Sequence, residues 1–235
     1  QNFFGVGSSP IVFKDDLLVM VGGSSADSKD VAPGRLDLVS DNGTAVVILD
    51  KKTGEVRRTV GADLASYSSI QVARIHDRDV AIVWGRGKLT GFELVTGKVL
   101  FEMPFRARLL ESVNAATPVV DGNRIFVSEC YGPGSLLIEL DREYRPRVVW
   151  SDKGRRDRSL ATHWNTPVLH NGMLYASSGR QTQGAQLRCV EWETGKVKWS
   201  VKGYGRSSMT YVDGHLVVMD ESGKLFLIRA TAEQF

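Results

Sequence analysis

Short runs of apolar residues alternate with polar turn residues along the whole chain. Between residues 166 and 201, apolar and small side chains recur with a period of two, as at Val197 and Trp199, which is the spacing of a strand with one buried face. Asn171-Gly172 and Thr194-Gly195 interrupt the alternation, and such pairs favour tight turns. Apolar residues rarely recur at helical spacing. This unit is therefore predicted to hold four strands, named A to D, at residues 166–170, 173–178, 186–192 and 196–201.

The same unit recurs along the chain. A Thr-Gly turn followed by Lys or Glu and then Val occurs in KTGEVRR (52–58), VTGKVLF (95–101) and ETGKVKW (193–199), and DREYRPRVVW (141–150) stands where a degenerate copy is due. A hydroxyl residue accompanies each strand A at steps of 60, 48, 49 and 42 residues: Ser9, Ser69, Thr117, Thr166 and Ser208. A repeat of about 40–50 residues with several short strands is typical of a β-propeller blade.

The repeats predict an all-β fold, a β-propeller of four-stranded antiparallel blades in a single domain over residues 1–235. Four blades are complete and a fifth stops after its third strand near Arg229, so we expect the chain to be part of a larger propeller of about seven or eight blades. Strand exchange between the termini is the alternative. The predicted blades cover residues 8–60, 66–104, 115–153, 164–203 and, in part, 206–235.

Two sets of repeated residues are predicted to have structural roles. We expect the five hydroxyl residues to hydrogen-bond between neighbouring inner strands, and Phe101, Trp150 and Trp199 to pack between adjacent blades. A polar insertion at residues 24–42 lengthens the B–C connection of the first blade, where we expect a solvated surface loop. A calcium site is the alternative there, but the spacing of its aspartates fits no ordered calcium loop.

Aligned on these repeats, the unit that begins as SSPIVF (8–13) or NTPVLHNG (165–172) and ends as ETGKVKW (193–199) resembles the PQQ-like β-propeller repeat. This family includes quinoprotein dehydrogenases and BamB-like propellers, and the resemblance covers essentially the whole chain. It implies a propeller fold and a periplasmic or otherwise exported location. It does not choose a function, because many members are neither quinoproteins nor enzymes.

A quinoprotein dehydrogenase of this family would hold pyrroloquinoline quinone (PQQ) in its central funnel, with a calcium ion bound by Glu, Asn and Asp and a catalytic Asp nearby. The alcohol dehydrogenase branch also has a disulfide between adjacent cysteines, whereas Cys130 and Cys189 lie 59 residues apart. None of the family's cofactor residues can be carried over to this chain. We therefore expect no cofactor, with PQQ and calcium as the alternative, and we predict two buried free thiols.

Composition and charge narrow the range of partners. The chain has 30 Lys and Arg against 27 Asp and Glu, a net charge of +3, which is too mild to predict nucleic-acid binding. No apolar run approaches the roughly 18–20 residues that a transmembrane helix requires. The D–A connections are basic, most densely in DKGRRDRS (152–159). Such a rim would attract an anionic ligand or an acidic patch on a protein, although a solvated charge run is the structural alternative.

Candidate recognition residues precede strand A, where the blades differ from one another, because variable residues on a regular scaffold are where recognition tends to reside. The predicted partner face combines these positions with the basic run: Tyr67, Asn114, His163, Trp164, Asn165, Arg206, Arg155 and Arg156. In the structural alternative, Tyr67 and Trp164 plug the funnel mouth and His163 is a hydrogen-bonded structural residue.

The sequence thus favours a non-catalytic binding or scaffolding propeller, which presents a face built from loops to a protein or an anionic ligand. No carboxylate or thiol is paired with His163 by local sequence, so a catalytic triad is not supported. A PQQ- and calcium-dependent dehydrogenase, or a degenerate relative of one, is the alternative function.

Overall fold

The computed structural model describes residues 7–32 and 35–235, which form five antiparallel sheets in chain order. Blade 1 contains β1 (Ile11–Phe13), β2 (Asp16–Met20), β3 (Val46–Asp50) and β4 (Val56–Val60). Blade 2 contains β5 (Gln71–Ile75), β6 (Arg78–Trp84), β7 (Lys88–Glu93) and β8 (Val99–Pro104). Blade 3 contains β9 (Val119–Asp121), β10 (Arg124–Glu129), β11 (Gly134–Leu140) and β12 (Pro146–Ser151).

Blade 4 contains β13 (Val168–His170), β14 (Met173–Ser178), β15 (Gln186–Glu191) and β16 (Val197–Lys202). Blade 5 has three strands, β17 (Ser208–Val212), β18 (His215–Met219) and β19 (Leu225–Arg229). Short 3-10 helices lie at Ala26–Ser28, Leu36–Leu38 and Thr182–Gly184. The predicted all-β fold of four complete blades and a partial fifth is confirmed. No helix in the described ranges has the length and apolar character needed to cross a membrane.

The hairpin between the two inner strands of blade 4 forms as predicted. Asn171 and Gly172 both have positive φ, 47° and 71°, which is the geometry of the type I′ turn that two-residue hairpins favour. The inner strand itself begins at Val168, two residues later than predicted. Thr166 is engaged elsewhere, since its Oγ1 accepts a hydrogen bond from the Thr117 N–H at 3.0 Å, and Pro167 has no N–H to donate to a ladder.

Two of the predicted hydroxyl contacts and the predicted aromatic residues join adjacent blades. The Ser9 N–H donates to Ser69 Oγ at 3.0 Å between blades 1 and 2, as the Thr117 N–H does to Thr166 between blades 3 and 4. The Trp150 indole packs into blade 4 and donates to the Trp192 carbonyl at 2.7 Å. Trp199 does the same with the Thr231 carbonyl at 2.8 Å, and Phe101 lies in the core shared by blades 2 and 3.

A half-buried and a fully buried carboxylate hold the connections on the face where the D–A and B–C connections meet. Asp63 leaves blade 1 and accepts from the N–H groups of Gly87 and Lys88 in the B–C turn of blade 2, at 2.9 and 3.1 Å. Burial raises the pKa of Asp63, against the lowering effect of these bonds. Asp152, 1% exposed, accepts from the Ser135 and Ser159 N–H groups at 3.1 and 3.0 Å. The loops of this face are therefore built on fixed anchors.

The polar insertion of blade 1 is held together by hydrogen bonds between its own residues. The Ser25 N–H donates to the Ser40 carbonyl at 2.9 Å and the Ser40 N–H donates to Ser28 Oγ at 3.0 Å. Asp27 and Asp37 are exposed, as predicted for a surface loop. Across the described ranges no three His, Cys, Asp or Glu side chains gather as a metal site.

Candidate functional site

A pocket of about 550 Å³ lies beside the inner hydroxyl residues, where the D–A connections meet. Ser69, Thr117 and Thr166 mark it as the mouth of the central channel, and we call it the mouth pocket. Its other described walls are Gly7, Tyr67, Val113, Ala115, Tyr131, His163 and Trp164. A concave apolar site with a few polar groups is typical of ligand or partner recognition. Three of the predicted residues, Tyr67, His163 and Trp164, are thus brought together.

The aromatic residues of the mouth pocket are stacked and hydrogen-bonded to one another. The hydroxyl of Tyr131 lies 2.8 Å from His163 Nε2, and the rings of His163 and Trp164 meet edge to face at 4.5 Å between centroids. Two guanidinium groups cover the outer rings, with Arg206 4.1 Å from the Trp164 centroid and Arg180 4.6 Å from that of Tyr131. Trp164 is nevertheless 43% exposed, so it offers a large apolar surface to solvent.

His163 is a neutral imidazole at physiological pH. Burial and the positive charges of Arg206 and Arg180 together lower its pKa to about 4, so the ring is not a cation at neutral pH. Its buried Nδ1 has no hydrogen-bond partner in the described part of the chain. The ring therefore contributes shape, stacking and one open polar atom to the pocket.

This lowered pKa predicts a loss of stability in mild acid. The unfolded chain takes up a proton at His163 near pH 6.5, whereas the folded protein resists it until about pH 4, so the free energy of unfolding falls as the pH drops through this window. After discounting for partial exposure, His163 should account for about 1–2 kcal/mol of the loss. Urea unfolding at pH 7 and pH 5 measures it, and His163→Gln should show a smaller fall than the native chain. Equal falls in both would contradict the assignment.

Arg206 lies at the mouth pocket, but its charge is balanced. Its Nε donates to Glu221 Oε1 at 3.0 Å, and its Nη1 donates to the Arg180 carbonyl at 3.3 Å. The guanidinium in turn lowers the pKa of Glu221 to about 2. Arg206 is thus a fixed, paired group that stacks on Trp164 and supports its orientation.

Asn114 and Asn165 hold the connections rather than line the pocket. They are 2% and 3% exposed. Asn114 Nδ2 donates to the Gly85 carbonyl at 2.8 Å, and Asn165 Nδ2 donates to the Ser177 carbonyl at the same distance. Each residue fixes a D–A connection to a neighbouring strand end. It thereby positions the residues of that connection that line the mouth pocket.

Arg155 and Arg156 lie away from the mouth pocket, in a separate groove between the connection that leaves blade 3 and the outer part of blade 4. The predicted partner face is therefore divided into two places. The connection turns outward after Asp152, whose buried carboxylate fixes the bend, so residues adjacent in sequence to the mouth end up outside it.

Tyr131 lines the mouth pocket and Arg180 covers the Tyr131 ring, and neither residue was predicted. Both follow a B strand, in connections that reach the same face as the D–A connections. Glu129 places Tyr131, since its fully buried carboxylate accepts from the N–H groups of Tyr131 and Gly132 at 2.7 and 2.9 Å. Burial raises the pKa of Glu129 against these bonds. An aromatic residue directly before Gly-Pro-Gly in the third B–C connection was the available signal.

The described lining residues of the mouth pocket do not match the ligand set expected for PQQ and calcium. No carboxylate is among its lining residues, whereas calcium prefers several carboxylate and carbonyl oxygens. One face of the Trp164 ring is already covered by the Arg206 guanidinium. Both cysteines are buried and free, and burial raises the pKa of the Cys130 thiol to about 12. A thiol with such a pKa is not a nucleophile at neutral pH.

The fold is a β-propeller, and a concave, partly apolar pocket lies at its channel mouth. A family model described as outer membrane protein assembly factor BamB matches residues 21–155, more than half of the chain. The chain belongs to this family of PQQ-like propeller repeats. No curated protein matches it by sequence.

Solved structures similar to the chain share its fold at low sequence identity. BamB from Moraxella catarrhalis is 15% identical with a TM-score of 0.61, over 94% of this chain and 57% of that one. A europium-containing methanol dehydrogenase is 12% identical with a TM-score of 0.53, over 98% of this chain and 54% of that one. The computationally designed Ika8 protein is 10% identical with a TM-score of 0.56, over 94% and 57%. The chain thus spans little more than half the length of these proteins.

Proposed function

We propose that the protein is a non-catalytic binding propeller of the cell envelope, whose mouth pocket binds a segment of a partner protein. The observation that carries the proposal is the half-exposed Trp164, set beside Tyr67 and Tyr131 in an apolar cavity of about 550 Å³. Trp, Tyr and Arg are the residues that most often dominate binding energy at protein interfaces, especially in pockets that exclude water. The regular blades supply a rigid support for this cluster.

The partner segment is proposed to insert an apolar or aromatic side chain next to an acidic one. The rings of Tyr67, Tyr131 and Trp164 would contact the apolar group. Arg180 supplies the charge: it is exposed, its guanidinium lies over the Tyr131 ring, and it makes no ion pair within the described chain. Arg206 is already paired with Glu221 and would orient Trp164 rather than attract the partner.

The family supports the location and the kind of partner. The matching model is described as an outer membrane protein assembly factor, so an exported protein that works by contact with other proteins is the natural reading. We propose that binding requires no quinone or metal, because the described lining of the mouth pocket offers aromatic rings and backbone but no carboxylate. The europium-containing methanol dehydrogenase shares the fold, which by itself does not carry its activity to this chain.

Site-specific photo-cross-linking in the cells of origin tests the proposal. An aromatic photoreactive residue placed at position 164, which keeps a ring there, should give a discrete protein adduct. The matched control is position 95, since Val95 is an apolar residue in the C–D turn of blade 2 and is 68% exposed. Arg180→Glu, combined with the probe at 164, should reduce the adduct.

Two results would count against the proposal. One is an adduct that forms equally from positions 164 and 95, since the mouth pocket would then have no special role. The other is dye reduction by the purified protein when PQQ and calcium are added, which would make it a dehydrogenase. Loss of the adduct on changing Arg180 alone, with the fold intact by circular dichroism, would support the acidic character of the partner.

A further inference from the structure

A second concave site, here named the basic groove, lies between the connection that leaves blade 3 and the outer strands of blade 4, β15 and β16. Its volume is about 970 Å³, and it shares no lining residue with the mouth pocket. Ligand pockets usually measure about 300–1,000 Å³, so the basic groove is large enough for a ligand well beyond a single inorganic ion.

The basic groove concentrates positive charge far above the average of the chain. One lining residue, Asp157, is acidic. Six are basic: Arg155, Arg156, Arg158, Arg188, Lys196 and Lys202. The resulting excess of five charges compares with +3 for the whole protein. A cleft lined by one sign of charge raises the local concentration of ligands of the opposite sign.

Most of this charge is not balanced by contact with a carboxylate. Arg155 Nη1 lies 3.7 Å from Asp152 Oδ1, beneath the loop. The other five basic residues make no ion pair within the described ranges. By contrast, most arginines on the C–D turns and outer strands of the protein are paired, as Arg57 is with Asp16 and Asp50. The basic groove is therefore set apart by unpaired charge as well as by its number of basic residues.

Arg188 is held in place at the wall of the basic groove by neutral acceptors. Its Nη1 donates to the Arg158 and Ser159 carbonyls at 2.6 and 3.0 Å, and its Nη2 donates to Gln186 Oε1 at 2.7 Å. These bonds fix the guanidinium without neutralising it, so little side-chain entropy remains to be lost when a ligand binds. Burial lowers the pKa of Arg188, while Asp152 and Asp157 oppose that shift.

We propose that the basic groove binds a ligand with two or more phosphate groups, either a free phosphorylated molecule or the headgroup of an anionic lipid. Three of the six basic residues, Arg155, Arg156 and Arg158, are arginines whose planar fork can match phosphate oxygens in pairs. Arg188, whose donors are already engaged, adds a fixed positive charge. Basic residues come from both walls, so one small anion would not engage them all. An acidic peptide fits less well, since the side chains of the lining include few apolar groups, such as Ala161 and Val197, to anchor one.

Calorimetric titration of the full chain with inorganic tripolyphosphate tests the site. A second titration uses vesicles of phosphatidylcholine with and without cardiolipin, whose headgroup carries two phosphates. Arg155→Gln together with Arg156→Gln should weaken binding about tenfold, because two charge-assisted contacts are lost. The control removes two exposed charges of the C–D turns, by Lys52→Gln together with Arg142→Gln, and should leave affinity nearly unchanged. Added salt should weaken binding of the native chain.

The two arms separate the sources of phosphate. Binding of tripolyphosphate alone indicates a free ligand, and binding only to vesicles that contain cardiolipin indicates a lipid headgroup; both support the proposal. Binding of neither at low salt would overturn it, as would equal weakening by the control pair. Polyglutamate that binds as tightly as tripolyphosphate would also overturn it in favour of an acidic protein. None of these outcomes bears on the proposed function of the mouth pocket, which is tested separately.

Discussion

Replacing Gly22 by alanine is expected to destabilise the protein by roughly 3 kcal/mol or more. Gly22 follows β2, is buried, and has a φ of +54°, a conformation that costs an L-residue about 1–2 kcal/mol. A Cβ there would lie 1.8 Å from the backbone nitrogen of Ala65 and 2.4 Å from its Cα. Backbone atoms cannot rotate aside, so the connection between blades 1 and 2 must move. Urea unfolding, read as a change in midpoint at constant slope, measures the cost.

Gly43→Ala is the matched control in the same blade. Gly43 also has positive φ, +80°, but nothing lies within 4 Å of the Cβ it would gain. It should cost about 1–2 kcal/mol through backbone strain alone. The difference in the free energy of unfolding between the two variants then measures the cost of the clash with Ala65. An equal loss of stability in the two variants would show that the close contact between Gly22 and Ala65 does not constrain the fold.

The Gly22 contact also bears on the mouth pocket. Ala65 lies two residues before Tyr67, in the connection that lines the channel mouth. The spacing between blades 1 and 2 therefore depends on the close contact between Gly22 and Ala65, which only glycine permits. The same contact helps to set the position of Tyr67 in the mouth pocket. A glycine in this role is invisible in the sequence, where Gly22 and Gly23 stand next to each other before a polar loop.

The strands could be predicted from the sequence because their signals are local. Strand B of blade 4 is found at Met173–Ser178 as predicted, and the last strand ends at Arg229 as predicted. Alternation and turn residues act within a few positions, and the repeats multiply the evidence. The start of strand A was misplaced by two residues because Thr166 bonds to the neighbouring blade, which no local pattern reveals.

The mouth pocket could be predicted only in part. Tyr67 and Trp164 occupy the same repeat position before blades 2 and 4, and His163 directly precedes Trp164, so the repeat symmetry brings them to one end of the channel. The repeat symmetry does not reveal how far a connection extends away from the channel. For this reason the sequence placed Arg155 and Arg156 with Arg206, although they lie in the separate basic groove. Tyr131 and Arg180 were missed because they come from B–C connections, whose lengths differ from blade to blade.

Trp84→Ala and Trp164→Ala make the same chemical change, but the first should reduce stability and the second should reduce partner binding. Trp84 is fully buried in the core shared by blades 2 and 3, and its indole donates to the Phe105 carbonyl at 3.2 Å. Its truncation should cost about 3–5 kcal/mol of stability, from the lost apolar contact and the cavity left behind. The orphaned carbonyl adds to the penalty. Chemical denaturation of the two variants side by side measures this.

Trp164 is 43% exposed at the mouth pocket, so its truncation should change stability by less than about 1 kcal/mol. Its binding cost should instead be about 2 kcal/mol or more, roughly a thirtyfold loss of affinity for the partner captured by cross-linking at position 164. A large stability loss for Trp164→Ala, comparable with that of Trp84→Ala, would mean that the indole is a structural plug of the channel. Because Arg206 stacks on Trp164 and is itself held by Glu221, Arg206→Gln should weaken partner binding less than Trp164→Ala does. That order of effects distinguishes an exposed recognition residue from the group that orients it.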